Sequence, residues 1–240
     1  MTAPARPQLV VALDGPASSG KSSVGAAAAL ELGYRFCDTG LLYRAATWLA
    51  LRRRVPAGGD PGGLVALVPE IELAPDGDGR LAHVTVDGDD VTEEVHTPAV
   101  DEAVSAVSRV PELRAALLER QRALAALPGG IVMAGRDIGT VVLPDADLKI
   151  FLDASVEERA RRRAEERGIA PDSQAARYIL AQLRRRDDLD RNRPVAPLRP
   201  ADDAVHIVTD GNRFEDTVAA VVATIRAAEE RAALAGAGRR

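Results

Sequence analysis

LVVALDGPASSGKSS, residues 9–23, is the stretch that decides the fold of this chain. Residues 9–13 are a short apolar run ending at Asp14, which is typical of a strand buried on both faces of a parallel sheet. Residues 15–22 then match the pattern G-x-x-x-x-G-K-[ST], in which successive backbone N–H groups point at one anion. The helix expected after the loop adds its positive N-terminus to the same point. The stretch therefore predicts a site for a nucleoside triphosphate.

The loop also assigns roles to individual side chains. Lys21 is placed to reach the β- and γ-phosphates, and the hydroxyl of Ser22 is placed to hold Mg²⁺. The other Mg²⁺ ligands are expected to be water and phosphate oxygens, and Asp38 is a further candidate acting through a water molecule. The predicted ATP contacts of the loop are Gly15, Pro16, Ala17, Ser18, Ser19, Gly20, Lys21, Ser22 and Ser23.

Length and composition exclude several classes of protein. The 240 residues suffice for one large α/β domain, and no apolar run approaches the ~18 residues of a membrane span. A net charge of −5 and an aromatic content of 3% argue against a nucleic-acid surface, which needs basic patches and stacking rings. Residues 1–8 lack the apolar core of a secretory signal, and the single cysteine, Cys37, suits a reducing compartment. We therefore expect a cytoplasmic protein that binds neither membranes nor nucleic acid.

The rest of the chain alternates predicted strands and helices. The further strands are expected at residues 34–38, 71–73, 81–86, 131–134, 148–152 and 204–208. The helices are expected at residues 22–32, 39–53, 97–127 with a break near Pro111, 155–167, 171–186 and 214–234. Residues 56–69, rich in glycine and proline, are read as a linker, and 187–200 as a loop. Strands alternating with helices predict a mostly parallel sheet covered on both faces.

Three local signals sharpen this assignment. Ser155 and Glu158 have the spacing of a capping box at the start of a charged helix. Gly33 and Gly168 follow predicted helices as stop signals, Gly33 in the left-handed conformation. The turn at 75–79 joins two short strands, which predicts a small antiparallel insertion.

Polar side chains follow two predicted strands, at the edge where open parallel sheets bind ligands. Thr39 and Arg44 could present a hydroxyl and a guanidinium to one ligand, although a helix cap and a surface arginine would explain them if taken alone. Arg136 and Asp137 lie in a loop flanked by glycines, where a purely structural ion pair would gain little. The run RRRDDLDRNR at 184–193 has the composition of a solvated helix end with ion pairs.

Five motifs together resemble the bacterial cytidylate kinases, and the resemblance extends from the phosphate loop to Val208. The motifs are GPASSGKSS, DTGLLYRA, SAVSRVPELRAALLERQR, GRDIGTVVLPDADLKIFLDAS and RRRDDLDRNRPVAPL, of which the last two are the most specific. The resemblance implies an α/β P-loop fold of the nucleoside-monophosphate kinase type, with a five-stranded parallel sheet flanked by helices and a small antiparallel β insertion. It divides the chain into a core (1–55, 96–154 and 187–234), a monophosphate-binding insertion (56–95) and a lid region (155–186).

The resemblance also assigns residues to the two substrates. The positions that match those holding the acceptor phosphate are Arg44, Arg136 and Arg193, and those at the sugar are Arg186 and Asp190. The positions that match those around the cytosine are Ser105, Arg114 and Asp137, with Thr39, where some members carry serine, nearby. The candidate lid arginines that fold over ATP are Arg159, Arg162 and Arg163. Lys21, Arg136 and Arg193 are the implied catalytic residues.

The activity implied by the resemblance is ATP-dependent phosphorylation of CMP, and of dCMP, to the diphosphate in pyrimidine metabolism. Because the acceptor is already an anion, no protein base is needed, and catalysis reduces to positioning and to charge stabilisation by arginine and lysine. The expected partners are ATP, CMP or dCMP and Mg²⁺, and the expected state is a monomer.

Two other kinds of function are compatible with a phosphate loop. A GTP-dependent switch needs an Asn-Lys-x-Asp stretch after a strand, but lysine occurs only at positions 21 and 149, and neither lies in such a stretch. A kinase of a small hydroxyl-bearing metabolite, similar to shikimate kinase, needs a carboxylate base, and Asp38 or Asp137 could serve. The second alternative stays open at this point.

Overall fold

The computed structural model describes residues 7–237, so most of the N-terminal segment 1–8 lies outside the described residues. The strands are β1 (Val10–Asp14), β2 (Arg35–Asp38), β3 (Ile71–Pro75), β4 (Arg80–Val86), β5 (Asp89–Asp90), β6 (Ile131–Gly135), β7 (Leu148–Asp153) and β8 (Val205–Val208). The helices are α1 (Lys21–Leu32), α2 (Gly40–Arg53), α3 (Pro61–Val65), α4 (Pro98–Val107), α5 (Pro111–Ala126), α6 (Val156–Glu166), α7 (Gln174–Arg191) and α8 (Phe214–Ala237). Short 3₁₀ turns at Val68–Glu70 and Glu94–His96 and a π-helical turn at Ile138–Val142 complete the elements.

One sheet runs through the described part of the chain in the order β3-β4-β2-β6-β1-β7-β8, with β5 paired to β4. The five strands β2, β6, β1, β7 and β8 pair in parallel, which confirms the predicted parallel sheet. The predicted antiparallel insertion is the hairpin β3–β4, and it is continuous with the main sheet because β4 pairs in parallel with β2. The carboxyl ends of β1, β2 and β6 therefore meet at one edge, where Asp14, Asp38 and Gly135 lie in register with neighbouring strands.

Helices bury both faces of the sheet. On one face α1 and α8 contribute Val24, Ala28, Val221 and Ile225 to a cluster with side chains of β1, β6 and β7. On the other face α5 and the π-helical turn contact Met133 and neighbouring strand residues. Removing this apolar surface from water stabilises the sheet that carries the loops. None of the helices in residues 7–237 is both long and apolar enough to cross a membrane.

The predicted linker at 56–69 is wrong in part, because it contains α3 and a 3₁₀ turn. Asp60 caps α3 by accepting a hydrogen bond from the backbone N–H of Gly62, and Pro61 is its first residue, where a missing N–H costs nothing. Leu64 and Val68 are buried in the cluster formed with α2 and the hairpin. Buried apolar side chains thus hold a segment whose composition suggested a linker.

The predicted end of the helix at Arg186 is also wrong, since α7 continues to Arg191. Its charged final turns retain a buried face formed by Leu183, Asp187 and Asp190. The capping box is half formed: the Ser155 hydroxyl accepts from the N–H of Glu158, but the N–H of Ser155 donates to Asp210 instead of to Glu158.

Candidate active site

The predicted phosphate loop connects β1 to α1. Gly20 lies in the left-handed region at φ 88° and leads the chain into the helix. A Cβ at Gly15 would lie 2.2 Å from the carbonyl oxygen of Leu152, so that only glycine fits between the loop and β7. Ser18, a non-glycine residue, also has a positive φ of 59°. The backbone of the loop is therefore wound tightly around the N-terminus of α1.

Lys21 folds back over this loop. It is buried, and its Nζ donates to the carbonyl of Pro16 at 2.9 Å. Burial lowers the pKa of Lys21 well below its ordinary value, and the charge of Arg136 lowers it further, whereas Asp38 acts in the opposite direction. The Ser19 hydroxyl, within the loop, is buried without a hydrogen-bond partner among residues 7–237. A phosphate bound in the loop could accept hydrogen bonds from the ammonium and from this hydroxyl.

Ser22 and Asp38 form the oxygen-donor pair that could hold a metal ion. The Ser22 hydroxyl donates to the Asp38 carboxylate at 2.5 Å, and the other carboxylate oxygen accepts from the N–H of Gly40. A hydroxyl beside a carboxylate next to a phosphate loop is a donor set that fits Mg²⁺, which prefers oxygen ligands and retains water.

A carboxylate at the end of β1 joins the phosphate loop to the loop after β6. Asp14 is buried, and its two oxygens accept from the backbone N–H groups of Ile138 (2.8 Å) and Gly139 (2.7 Å). Burial raises the pKa of Asp14 to about 6, and the two backbone hydrogen bonds oppose that rise. Asp14 is not among the site residues predicted from the sequence, where its only signal is an acidic residue at the end of an apolar strand.

Asp137 lies between two buried arginines that sequence analysis assigned to different parts of CMP. Its Oδ2 accepts from Arg114 at 2.5 Å and its Oδ1 accepts from Arg193 at 2.9 Å. Arg114 also donates to the carbonyl of Ser108, and Arg193 to that of Ala196. The three side chains come from α5, the loop after β6 and the loop after α7, so that one carboxylate gathers segments distant in sequence.

The two residues implied at the sugar, Arg186 and Asp190, lie on α7 next to Arg136. Asp190 accepts from Nε of Arg136 at 3.1 Å. Burial lowers the pKa of Arg186 to about 10, and the charge of Arg136 adds to this effect. The Nε of Arg186 is buried without a hydrogen-bond partner in the described chain. Lys21, Arg136 and Arg186 therefore concentrate positive charge in one place.

Thr39 and Arg44 lie at and near the start of α2. The Thr39 hydroxyl is buried and donates to the carbonyl of Ala134 at 2.9 Å. Arg44 donates to the carbonyl of Val95 (3.0 Å) and to Asp101 (2.6 Å). Ser105 is half-buried on α4, the helix that also carries Asp101.

The three candidate lid arginines have different environments. Arg159 is fully buried and donates to the carbonyls of Ala154 and Ala17 and to both oxygens of Asp187, which ties α6 and α7 to the phosphate loop. Arg162 contacts Glu158 and Thr209. Arg163 lies near the Ser18 hydroxyl at 3.3 Å. Arg159 is committed to this bracing, and the contact of Arg162 and Arg163 with ATP stays a prediction.

These features together define a class of protein. A P-loop with a buried lysine lies at the carboxyl edge of a parallel sheet, and arginines from α2, α7 and the loop after β6 surround the same edge. This is the architecture of a P-loop kinase, which transfers the γ-phosphoryl group of a nucleoside triphosphate to a small molecule.

Comparison with known proteins identifies the particular family. The family model described as cytidylate kinase matches residues 11–227. The chain is 47% identical to the cytidylate kinase of Pelotomaculum thermopropionicum over 221 residues, which cover 90% of this chain and 96% of the relative. It is 48% identical to that of Rhodococcus opacus, with 88% and 91% covered, and 46% identical to that of Streptococcus gordonii, with 88% and 94% covered. The chain belongs to the cytidylate kinase family.

Family membership confirms the predicted class of enzyme, a phosphotransferase that uses ATP to phosphorylate CMP. It also makes the alternative of a shikimate-kinase-like enzyme the weaker hypothesis.

Proposed function

We propose that this protein transfers the γ-phosphoryl group of ATP directly to the phosphate of CMP, and of dCMP, without a protein base. The observation that carries the proposal is the concentration of Lys21, Arg136 and Arg186 at the end of the phosphate loop. The charges of Arg136 and Arg186 lower the pKa of Lys21, and the charge of Arg136 lowers the pKa of Arg186, in each case after the larger effect of burial. The positive charge of this cluster is complementary to the negative charge that the phosphates of ATP and CMP carry together.

The state of the two candidate bases supports a phosphate acceptor over a hydroxyl acceptor. Asp38 accepts from Ser22 and from the N–H of Gly40. Asp137 accepts from Arg114 and Arg193 on its two oxygens. Both oxygens of Asp137 are thus occupied by guanidinium donors, with which a substrate hydroxyl would have to compete for the carboxylate. An acceptor that arrives already ionised needs no such base.

On this proposal these arginines divide between the phosphate and the sugar of CMP. Arg44, Arg136 and Arg193 hold the acceptor phosphate, and Arg186 with Asp190 holds the sugar. Arginine suits phosphate because its planar fork can donate two hydrogen bonds and stays charged. Lys21 neutralises charge on the transferred group as it passes between the nucleotides.

The base of CMP is assigned to the polar side chains near α4 and α5. Arg114 donates to the O2 or N3 edge of cytosine, Asp137 accepts from its amino group, and Ser105 and Thr39 lie alongside. A carboxylate accepts from the N4 amino group of cytosine but repels the O4 oxygen of uracil.

Mg²⁺ would be held by Ser22, with Asp38 beside it and water and phosphate oxygens completing its ligands. When bound, the ion neutralises charge on the β- and γ-oxygens of ATP.

Residues 155–186 form the lid, from which Arg162 and Arg163 contact ATP and exclude water. The single cysteine, Cys37, suits a reducing cytoplasm, where we place the enzyme as a monomer.

An acceptor panel tests the proposed function. Initial rates of ADP formation are measured with CMP, dCMP, UMP, AMP and shikimate at saturating ATP and Mg²⁺. We expect CMP and dCMP to be good acceptors and shikimate to leave the rate at the level without acceptor. A rate with shikimate equal to that with CMP would contradict the proposal.

A further inference from the structure

Asp101, on the first turns of α4, is the meeting point of arginines from three segments. Its Oδ1 accepts from Arg44 of α2 at 2.6 Å, and its Oδ2 lies 3.4 Å from Arg163 of α6. Arg167, immediately after α6, approaches the same Oδ2 at 3.6 Å. The Asp101 side chain is 25% exposed, so it lies at the rim of the site and not on the open surface.

The contact with Asp101 fixes the orientation of Arg44. One terminal nitrogen of Arg44 donates to the carbonyl of Val95 and the other donates to Asp101. Two acceptors on two different nitrogens define the plane of the guanidinium group. Since a guanidinium has five N–H donors, three remain for a ligand.

Arg163 links the Asp101 carboxylate to the phosphate loop, where ATP is expected to bind. One terminal nitrogen of Arg163 lies 3.3 Å from the Ser18 hydroxyl of the phosphate loop, and the other faces Asp101. Burial lowers the pKa of Arg163, and the charges of Arg167 and Arg44 lower it further, while Asp101 raises it. Arg44 and Arg163 therefore repel each other, and Asp101 offsets that repulsion.

We propose that Asp101 is a positioning residue that holds Arg44 and Arg163 together between the acceptor and donor nucleotides. The inference rests on the proposed function, in which Arg44 binds the CMP phosphate and Arg163 contacts ATP. Without the carboxylate, Arg44 keeps a single acceptor and is pushed away from Arg163. CMP binding must then order the guanidinium group, which weakens binding of the acceptor and misplaces the reacting phosphates.

The test replaces Asp101 by asparagine and compares it with Glu102→Gln, an isosteric loss of one negative charge at the exposed neighbouring position of α4. KM and kcat are measured with CMP varied at saturating ATP. We expect Asp101→Asn to raise KM for CMP by about tenfold or more, because misplacement of a positioning group by about 1 Å has effects of this size. Glu102→Gln should leave both KM for CMP and kcat unchanged. Unchanged KM and kcat in Asp101→Asn would overturn the inference.

A double substitution shows whether Asp101 acts through Arg44. In an Arg44→Ala background only Arg163 remains for Asp101 to orient, so Asp101→Asn should lower kcat/KM for CMP by a clearly smaller factor than it does in wild type. If the two effects multiply as independent losses, the role of Asp101 is purely structural and the inference fails. Should Asp101→Asn not fold, Asp101→Glu keeps the charge and shifts the carboxylate, and an unchanged KM in that folded variant contradicts the proposal.

The failure of this inference is distinct from failure of the proposed function. If the wild-type protein does not phosphorylate CMP, the proposed function is wrong and Asp101 loses its assigned task. If the wild type phosphorylates CMP and Asp101→Asn matches it, only the positioning role is wrong.

Discussion

The hydroxyl of Ser22 donates to the carboxylate of Asp38 at 2.5 Å, which links the first turn of α1 to the end of β2. The hydrogen bond brings together Ser22 of the phosphate loop and Asp38 at the end of the next strand. An ion bound by Ser22 would thus be adjacent to an oriented carboxylate whose other oxygen is held by Gly40.

We predict that Asp38→Asn weakens the response to Mg²⁺. Loss of a group that orients a metal ligand typically costs about tenfold or more in affinity. The Mg²⁺ concentration that gives half-maximal activity at fixed ATP should rise accordingly. Asp78→Asn, in the exposed turn between β3 and β4, is the matched control and should titrate like wild type. Equal Mg²⁺ dependence in the two variants would contradict an ion at Ser22.

Lys21→Ala should abolish most catalysis while preserving the fold. Its buried ammonium would stabilise charge on the transferred phosphoryl group, and removing one such donor costs about 10²–10³ in kcat. The control is Lys149→Ala, which removes the other lysine of the chain, paired with Asp203 at 2.9 Å. Near-normal turnover of Lys21→Ala, with a normal circular dichroism spectrum, would refute the assignment of the phosphate loop.

Asp14 makes the stability of the fold depend on pH in a specific direction. Because burial raises its pKa from 3.8 to about 6, the native state holds this proton more tightly than the unfolded state does. The unfolding free energy contributed by this group is therefore largest at low pH and is lost as pH rises through about 6. The shift corresponds to about 3 kcal/mol.

Asp14→Asn removes this titration. The difference in unfolding free energy between wild type and variant should fall from about pH 4 to about pH 6 and be flat above neutrality. Chemical denaturation at a series of pH values measures it. A difference that increases with pH over this window would contradict an elevated pKa.

Asp137→Asn tests the assignment of the cytosine site. A site that pairs a buried polar group can reject an analogue lacking the partner by about 10⁴, so UMP should be a far poorer acceptor than CMP. The variant should lower the ratio of CMP activity to UMP activity, because an amide can also donate a hydrogen bond to uracil. Asp145→Asn, in an exposed loop, is the control. If CMP activity falls with the CMP/UMP ratio unchanged, Asp137 serves to hold Arg114 and Arg193 and does not read the base.

Much of the fold could be predicted from the sequence because its signals are local. The phosphate loop, the apolar strands and the turn between β3 and β4 each depend on a few neighbouring residues. The continuation of α7 to Arg191 could not be predicted, because the charged end of this helix resembles a solvated loop in composition. Those charges are satisfied by distant partners: Asp187 accepts from Arg159, and Asp190 accepts from Arg136.

The same limit applies to the candidate site. The residues implied by the family resemblance were individually identifiable, but their pairing was not. Asp14 meets backbone groups that lie 124 and 125 residues further along the chain, and Asp101 meets Arg163 across 62 residues. The residues next to a carboxylate in the sequence do not indicate such distant partners, because the partners come close only when the chain folds.

The central claim is that the acceptor group is a phosphate, and phosphorus NMR of the products tests it most directly. With wild-type protein, ATP, CMP and Mg²⁺, we expect ADP together with a new phosphoanhydride whose two phosphorus nuclei are coupled, as in CDP, formed at the rate of ATP loss. Formation of a phosphate ester on a sugar hydroxyl, or of inorganic phosphate alone, would contradict it.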